Sequence, residues 1–271
     1  MVLYRRYRLN FSLPMARQCD VCYTPLARQL TKSMDLSLVI PVRNEAANIA
    51  PLMGEIRAAL DGNVDYEIVY VDDGSTDGTA TAIRTLARDF PRLRLLRHRR
   101  RAGQSAAIHT GVNAARAPWI ATLDGDGQND PADIPRLWAM AQRDAAANLL
   151  IAGFRQKRRD TIVKRLSSRI ANTVRAKLLG DGTPDTGCGL KLFRRELYLD
   201  LPFFDHNHRF LPALVQRQGG SVVSVQVNHR PRERGQSNYH VFDRLWVGIA
   251  DLGGVMWLKR RASNPELAAE E

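Results

Sequence analysis

Trp119-Ile120-Ala121-Thr122-Leu123-Asp124-Gly125-Asp126-Gly127-Gln128-Asn129-Asp130-Pro131 is the stretch that decides the fold. Its first five residues form a short apolar run, which predicts a buried strand. The run ends in two carboxylates one residue apart, Asp124 and Asp126, with Gly125 between them and Gly127 after. Glycine lets the backbone turn sharply and lets a ligand come close. With the amide oxygen of Gln128, the carboxylates make a cluster of hard oxygen donors. Mg2+ and Mn2+ suit such a cluster, bound through one or two carboxylates and the substrate's own phosphates. A plain polar turn would show the same short Asp-x-Asp pattern, so its meaning depends on the rest of the chain.

Outward from this stretch, strand-like and helix-like segments alternate. Leu36–Ile40 reads as a strand broken by Pro41-Val42-Arg43-Asn44-Glu45, and Asn48–Leu60 has helical spacing. Tyr66–Val71 is a strand that ends in Asp72-Asp73-Gly74-Ser75-Thr76-Asp77-Gly78. Asp77 reads as a helix cap, whereas two adjacent acids at a strand end exceed what capping requires. Thr79–Phe90 is helical in pattern, Leu93–Leu96 a strand and Ala102–Ala115 a helix. Downstream come a helix over Ile134–Ala147 and a strand over Leu149–Gly153 that delivers Arg155. A turn from Asp185 leads into another strand, followed by a helix over Phe203–Gln216 and a last strand over Val222–Val227. This alternation predicts an α/β fold, a mostly parallel twisted sheet flanked by helices. Ligands in such sheets bind beyond the carboxyl ends of the strands, so the Pro41, Asp72 and Asp124 turns should converge on one crevice.

The 271 residues are 44% hydrophobic, enough for a sizeable core and too many for a disordered chain. Cys19, Cys22 and Cys188 cannot make a disulfide framework, which fits a reduced cytoplasmic setting. The net charge of +12 calls for an anionic partner: nucleic acid, a phosphorylated ligand or an anionic membrane surface. No aromatic residues interleave with the basic cluster at 155–169, which argues against single-strand nucleic-acid binding. Within that cluster, Ile162, Leu166, Ile170, Val174 and Leu178 repeat every four residues beside Lys157, Lys164, Arg165 and Arg169. The pattern predicts an amphipathic helix, suited to a phosphate on a lipid or simply packed with a solvated basic face. Residues 1–33 are expected to be a basic, disordered leader, or an over-long start with Met34 as the initiator. Residues 243–271 read as an amphipathic segment and an acidic tail. No run reaches the length needed to cross a bilayer. Leu245–Leu258, closed by Lys259-Arg260-Arg261, reads either as a segment lying on a membrane surface or as an ordinary packed helix.

Together these stretches resemble family-2 glycosyltransferases of the GT-A nucleotide-sugar-binding fold, in their polyprenyl- or dolichyl-phosphate sugar transferase branch. The resemblance covers about residues 36–240, so residues 34–242 are expected to be the catalytic domain. Pro41-Val42-Arg43-Asn44-Glu45 resembles the opening Pro-x-x-Asn-Glu, and Asp72-Asp73-Gly74-Ser75-x-Asp77 the nucleotide-binding acids. Gly103, Ala106, Ala107 and Gly111 resemble the small-residue helix. Gly153-Phe154-Arg155, Ser168-Arg169-Ile170-Ala171-Asn172, Asp185-x-x-Cys188-Gly189 and Arg232-x-x-Gly235-x-Ser237 resemble the later motifs.

The resemblance implies a nucleoside-diphosphate sugar, GDP- or UDP-linked, as donor. Pro41, Arg43, Glu45, Asp72, Gly125 and Asn238 would line its site. Asp124, Asp126 and Gln128 would hold Mg2+ or Mn2+, and Arg155 and Arg232 would meet the diphosphate. Lys164, Arg165 and Ser168 would hold the phosphate of a polyprenyl acceptor, and attack in line would invert the anomeric centre. A phosphate monoester has its second pKa near 6, so it is a nucleophile at neutral pH without a general base. A hydroxyl acceptor would need one, with Asp205, His206 or His208 as candidates. Asn238 departs from the usual lysine of the closing loop, and His208-Arg209-Phe210 stands where many relatives carry a carboxylate. The implied setting is the cytoplasmic membrane face, peripherally bound, with no nucleic acid and with a membrane protein as a further partner.

Overall fold

The computed structural model describes residues 34–144, 146, 148–155, 175–232 and 243–263, the last segment without side chains up to residue 246. The expected leader over residues 1–33 and the basic helix up to residue 174 therefore lie outside the described residues, as do Asn238 and most of the closing loop.

Strands β1 (Leu36–Val42), β2 (Tyr66–Asp72), β3 (Leu93–Arg97), β4 (Trp119–Thr122), β5 (Leu149–Arg155), β6 (Lys191–Arg194) and β7 (Ser221–Val227) form one sheet in the order β3-β2-β1-β4-β6-β5-β7. Every pairing is parallel except those of β6, which runs antiparallel to both β4 and β5. Helices α1 (Ala46–Leu60), α2 (Thr79–Asp89), α3 (Gln104–Ala114) and α4 (Ile134–Arg143) connect the first five strands. Short α5 (Arg195–Leu199) and α6 (Leu211–Arg217) follow β6, and α7 (Asp243–Arg260) follows β7.

The chain first winds outward from β1 to β3, then returns through α3 to place β4 on the other side of β1. That reversal is a topological switch point, and the carboxyl ends of β1 and β4 flank it. Both faces of the sheet are covered, which is why β1 and β2 are apolar on successive residues rather than alternating. One apolar layer lies under α1, α2 and α4, with Leu38, Ile40, Ile49 and Ile68 fully buried. The other holds Val39, Val69, Val71 and Ile120 against α3, α5, α6 and α7.

Three expectations shift. Strand β1 continues through Pro41 to Val42 instead of breaking there. Its ladder with β4 ends at Val39–Thr122, so a missing N–H at Pro41 costs nothing on that side. Helix α4 stops at Arg143. The expected helix over 203–216 starts only at Leu211: His206 takes a left-handed backbone (φ 64°), and a 3-10 turn over Asn207–Arg209 intervenes. Non-glycine residues rarely adopt that backbone, and it interrupts helical propagation.

α3 lies unusually close to the sheet. A Cβ on Gly111 would sit 2.4 Å from Val39 Cγ1, whereas one on Gly54 in α1 would meet nothing within 4 Å. Alanine is the better helix former by about 1 kcal/mol, so the two sites should respond oppositely. Gly54→Ala is expected to stabilise by up to about 1 kcal/mol. Gly111→Ala should destabilise by about 1–3 kcal/mol through overpacking. Urea unfolding of both variants checks this; a stabilised Gly111→Ala would refute the close packing.

Candidate active site

A cleft of about 700 Å³ opens at the carboxyl ends of β1, β4 and β5 and the amino end of antiparallel β6. This is the size of a small-molecule site. β1 contributes Pro41, Val42, Arg43 and Glu45, and the turn after β4 contributes Asp124, Gly125, Asp126 and Gln128. Arg155 enters from β5, Gly187, Cys188, Gly189 and Lys191 from the approach to and start of β6, and Arg232 from beyond β7. Gly103, Gln104, Ala107 and Ile108 of the α3 end face His208, Arg209 and Leu211. The crevice expected from the strand-end motifs is therefore one cavity.

The carboxylate pair dominates its electrostatics. Burial, and then the charge of Asp126, push the Asp124 carboxyl up to about 6. Gln104 Nε2 donates to Asp124 Oδ1 at 2.8 Å, and Lys191 and Arg155 temper the charge. Space for the group exists because residue 189 is glycine: a Cβ there would lie 2.2 Å from Asp124 Oδ2. Gly125 is equally constrained, since its Cβ would strike Val42 Cγ1 at 2.3 Å. Asp126 Oδ1 accepts from the Gln128 amide at 3.1 Å. Arg232 Nη2 bridges Asp126 Oδ2 at 3.1 Å and Glu45 Oε1 at 2.9 Å, so this corner already draws a cation.

Among the described residues no three His, Cys, Asp or Glu side chains gather as a metal cage. The donors present are two carboxylates and the Gln128 amide. That set fits a hard cation that completes its shell with substrate phosphate and water.

Arg155 is fixed in place by a fork to Asp185, Nε to Oδ2 at 2.6 Å and Nη2 to Oδ1 at 2.9 Å. The Asp185–Gly189 motif thus has two jobs in the fold: it aims Arg155 and leaves room for Asp124. Lys191 is buried, its ammonium donating to the carbonyls of Thr186 and Cys188. Burial lowers its pKa.

The adjacent acids after β2 divide their work. Asp73 lines the cleft and accepts from the amides of Ala102 and Gly103 and from His98 Nδ1 at 2.7–2.9 Å, clamping the loop into α3. Asp72 is fully buried outside the lining, accepting from the Ser75 amide, with Arg97 Nε 3.1 Å from its other oxygen. The N-cap of α2 is Gly78 rather than the expected Asp77, which sits one residue earlier and accepts from the Thr79 amide at 3.0 Å. Lys164, Arg165, Ser168 and Asn238 lie outside the described residues. Gln104, Lys191, His208 and Arg209 were not singled out for the donor site from sequence. Only the spatial return of distant segments brings them in.

A raised carboxyl pKa has a stability sign. Folded Asp124 holds its proton more tightly than it does unfolded, so its contribution falls as pH rises from about 4 through about 6. Asp124→Asn removes that penalty. In metal-free buffer it is expected to raise the melting temperature by a few degrees at pH 8 and leave it nearly unchanged at pH 4. A gain equal at both pH values would show that charge is not the cause.

The chain matches the family model described as "Glycosyl transferase family 2" over residues 37–201. It is 35% identical over 242 residues to a dodecaprenyl-phosphate galacturonate synthase of Rhizobium johnstonii, covering 86% of this chain and 70% of that one. It is 34% identical over 206 residues to an undecaprenyl-phosphate 4-deoxy-4-formamido-L-arabinose transferase of Edwardsiella ictaluri, covering 75% of this chain and 62% of the relative. Its fold matches a mannosyltransferase of Pyrobaculum calidifontis, solved with GDP-mannose and Mn2+, with a TM-score of 0.61 and 20% identity over 88% of this chain and 67% of that one. It also matches a glucosyl-3-phosphoglycerate synthase of Mycobacterium tuberculosis, solved with Mn2+, UDP and product, with a TM-score of 0.61 and 19% identity over 86% and 81%. Strand-end motifs, cleft and family match agree: this chain belongs to glycosyl transferase family 2 and has the GT-A architecture.

Proposed function

We propose that the chain moves a sugar from a nucleoside-diphosphate donor to a polyprenyl phosphate, with inversion at the anomeric carbon. The named relatives act with polyprenyl phosphates, and the chain spans about 62% of the length of the arabinose transferase. One observation in the cleft favours a phosphate over a hydroxyl acceptor. His208, the imidazole in the lining, has its pKa held well below the usual histidine value by burial and by the charges of Lys191, Arg209 and His206. Such a group is a poor base for a hydroxyl near neutral pH. Asp205 is exposed, and the His206 ring is turned onto Asp251 at 3.0 Å. Both oxygens of Glu45 already accept, from Arg232 and from Asn48. A phosphate monoester needs no such base.

In this reading Pro41, Arg43 and Asp73 face the nucleoside, with Asp72 holding their loop from behind. Asp124, Asp126 and Gln128 would hold Mg2+ or Mn2+, which when bound offsets charge on the departing diphosphate. Arg155, aimed by Asp185, and Arg232, released from Asp126, add preorganised positive charge there. Lys164, Arg165 and Ser168 would take the acceptor phosphate, and Asn238 the far end of the donor.

A lipid acceptor places the enzyme at a membrane surface, here the cytoplasmic face. No helix among the described residues is long and apolar enough to cross a membrane. α7 buries Val255 against the core while its outer side carries Ile249, Gly253 and Trp257 in solvent, followed by Arg260 and Arg261. Apolar groups beside cations suit an anionic lipid surface.

The decisive test is radiolabel transfer from a panel of GDP- and UDP-sugars to undecaprenyl and dolichyl phosphate. Label in the organic phase should require divalent metal and fall at least about a hundredfold in Asp126→Ala, given the several kcal/mol such ions supply. Hydrolysis of one donor without lipid labelling would overturn the acceptor. Separately, flotation with phosphatidylserine vesicles should recover the wild-type chain and less of Trp257→Ala. Equal recovery on neutral vesicles would remove the electrostatic part.

A further inference from the structure

The cleft answers most of its own cations. Arg155 is matched by Asp185, Arg232 by Glu45 and Asp126, and Lys191 by two carbonyls. Arg43, beside the β1 end, and Arg209 are different: each guanidinium lines the cleft and makes no hydrogen bond or ion pair with any described residue, and of the two only Arg209 has an imidazole from its own turn, His208, next to it in the lining. Arg209 sits on the 3-10 turn packed against α3, across from the carboxylate corner.

The turn is rigidly built. Asn207 and Phe210 on either side are buried. His206 holds its left-handed backbone with its ring against Asp251 of α7. His208 Nδ1 lies 2.6 Å from the hydroxyl of fully buried Ser105. With that hydroxyl donating, the neutral ring presents Nε2–H as a donor beside the Arg209 fork. A partly buried guanidinium without a counter-charge is unfavourable, and a ligand anion would offset that cost. A planar fork with a neighbouring N–H is a receptor for oxyanions.

We propose that His208 and Arg209 form an oxyanion subsite, separate from the Asp124–Asp126 corner, that receives one negatively charged oxygen group beyond the donor diphosphate. This rests on the transferase reading above and extends it. The group is either the phosphate monoester of the acceptor or a carboxylate on the transferred sugar; both present the same pair of oxygens to the fork.

The test is calorimetric binding of inorganic phosphate and of free galacturonate to the full chain loaded with UDP and Mn2+. Wild type should bind at least one of them. Arg209→Gln should weaken that binding by about ten- to hundredfold, the usual cost of a lost charged hydrogen bond, and Arg209→Lys by less. Transfer assays then separate the sources. A raised KM for undecaprenyl phosphate with every donor assigns the subsite to the acceptor. A loss confined to UDP-galacturonate, with UDP-glucose spared, assigns it to the sugar. Binding of neither anion by wild type, or binding unchanged within twofold in Arg209→Gln, overturns the subsite. Wild-type binding without any transfer to lipid phosphate would instead sink the transferase reading and leave the subsite standing.

Discussion

Two carboxylates of like charge, Asp124 and Asp126, share a desolvated crevice at the point where the sheet reverses its winding, and the surrounding structure is organised to tolerate them. Left alone the pair would repel, and Asp124 would keep its proton. The fold supplies positive groups at graded distance: Arg232 in direct contact with Asp126, and Lys191 and Arg155 farther back. It also supplies space, through Gly125 and Gly189, where any side chain would displace the carboxylate or its strand. Two like charges held in a desolvated crevice cost stability, the kind of local cost that functional sites carry.

The second constraint is the clamp around Asp73. One carboxylate accepts two backbone amides and an imidazole, drawing the loop after β3 onto the start of α3. Helix α3 then sits hard against Val39 because residue 111 is glycine. The consequence is a fixed distance between the helix that carries Gln104 and Ser105 and the strand ends that carry the acids. Gln104 can therefore reach Asp124, and Ser105 can orient His208. Packing deep in the sheet sets geometry at the cleft.

α7 links the core to the exterior. Its inner side completes the second apolar layer through Val255, and Asp251 reaches the His206 ring beside the cleft. Its outer side keeps Val247, Ile249 and Trp257 in solvent. The sequence had left a packed helix and a surface-lying helix as alternatives. The fold shows packing on one side and an apolar remainder on the other.

Much of this was legible before any coordinates. The alternating strand and helix periods, the glycine-rich turns at strand ends and the spacing of Asp124, Asp126 and Gln128 are local features, and local chemistry writes them directly into sequence. They determined the α/β class, the crevice and the family. What they could not carry was register between distant segments. Antiparallel β6, the Asp185–Arg155 fork, the room that Gly189 leaves for Asp124 and the Ser105–His208 contact each join residues tens of positions apart. Which of two adjacent acids faces the cleft, Asp73 or Asp72, was likewise decided only by tertiary structure. A strand's alternation sends neighbours to opposite sides, but the exit from the strand, not its period, sets which side is open.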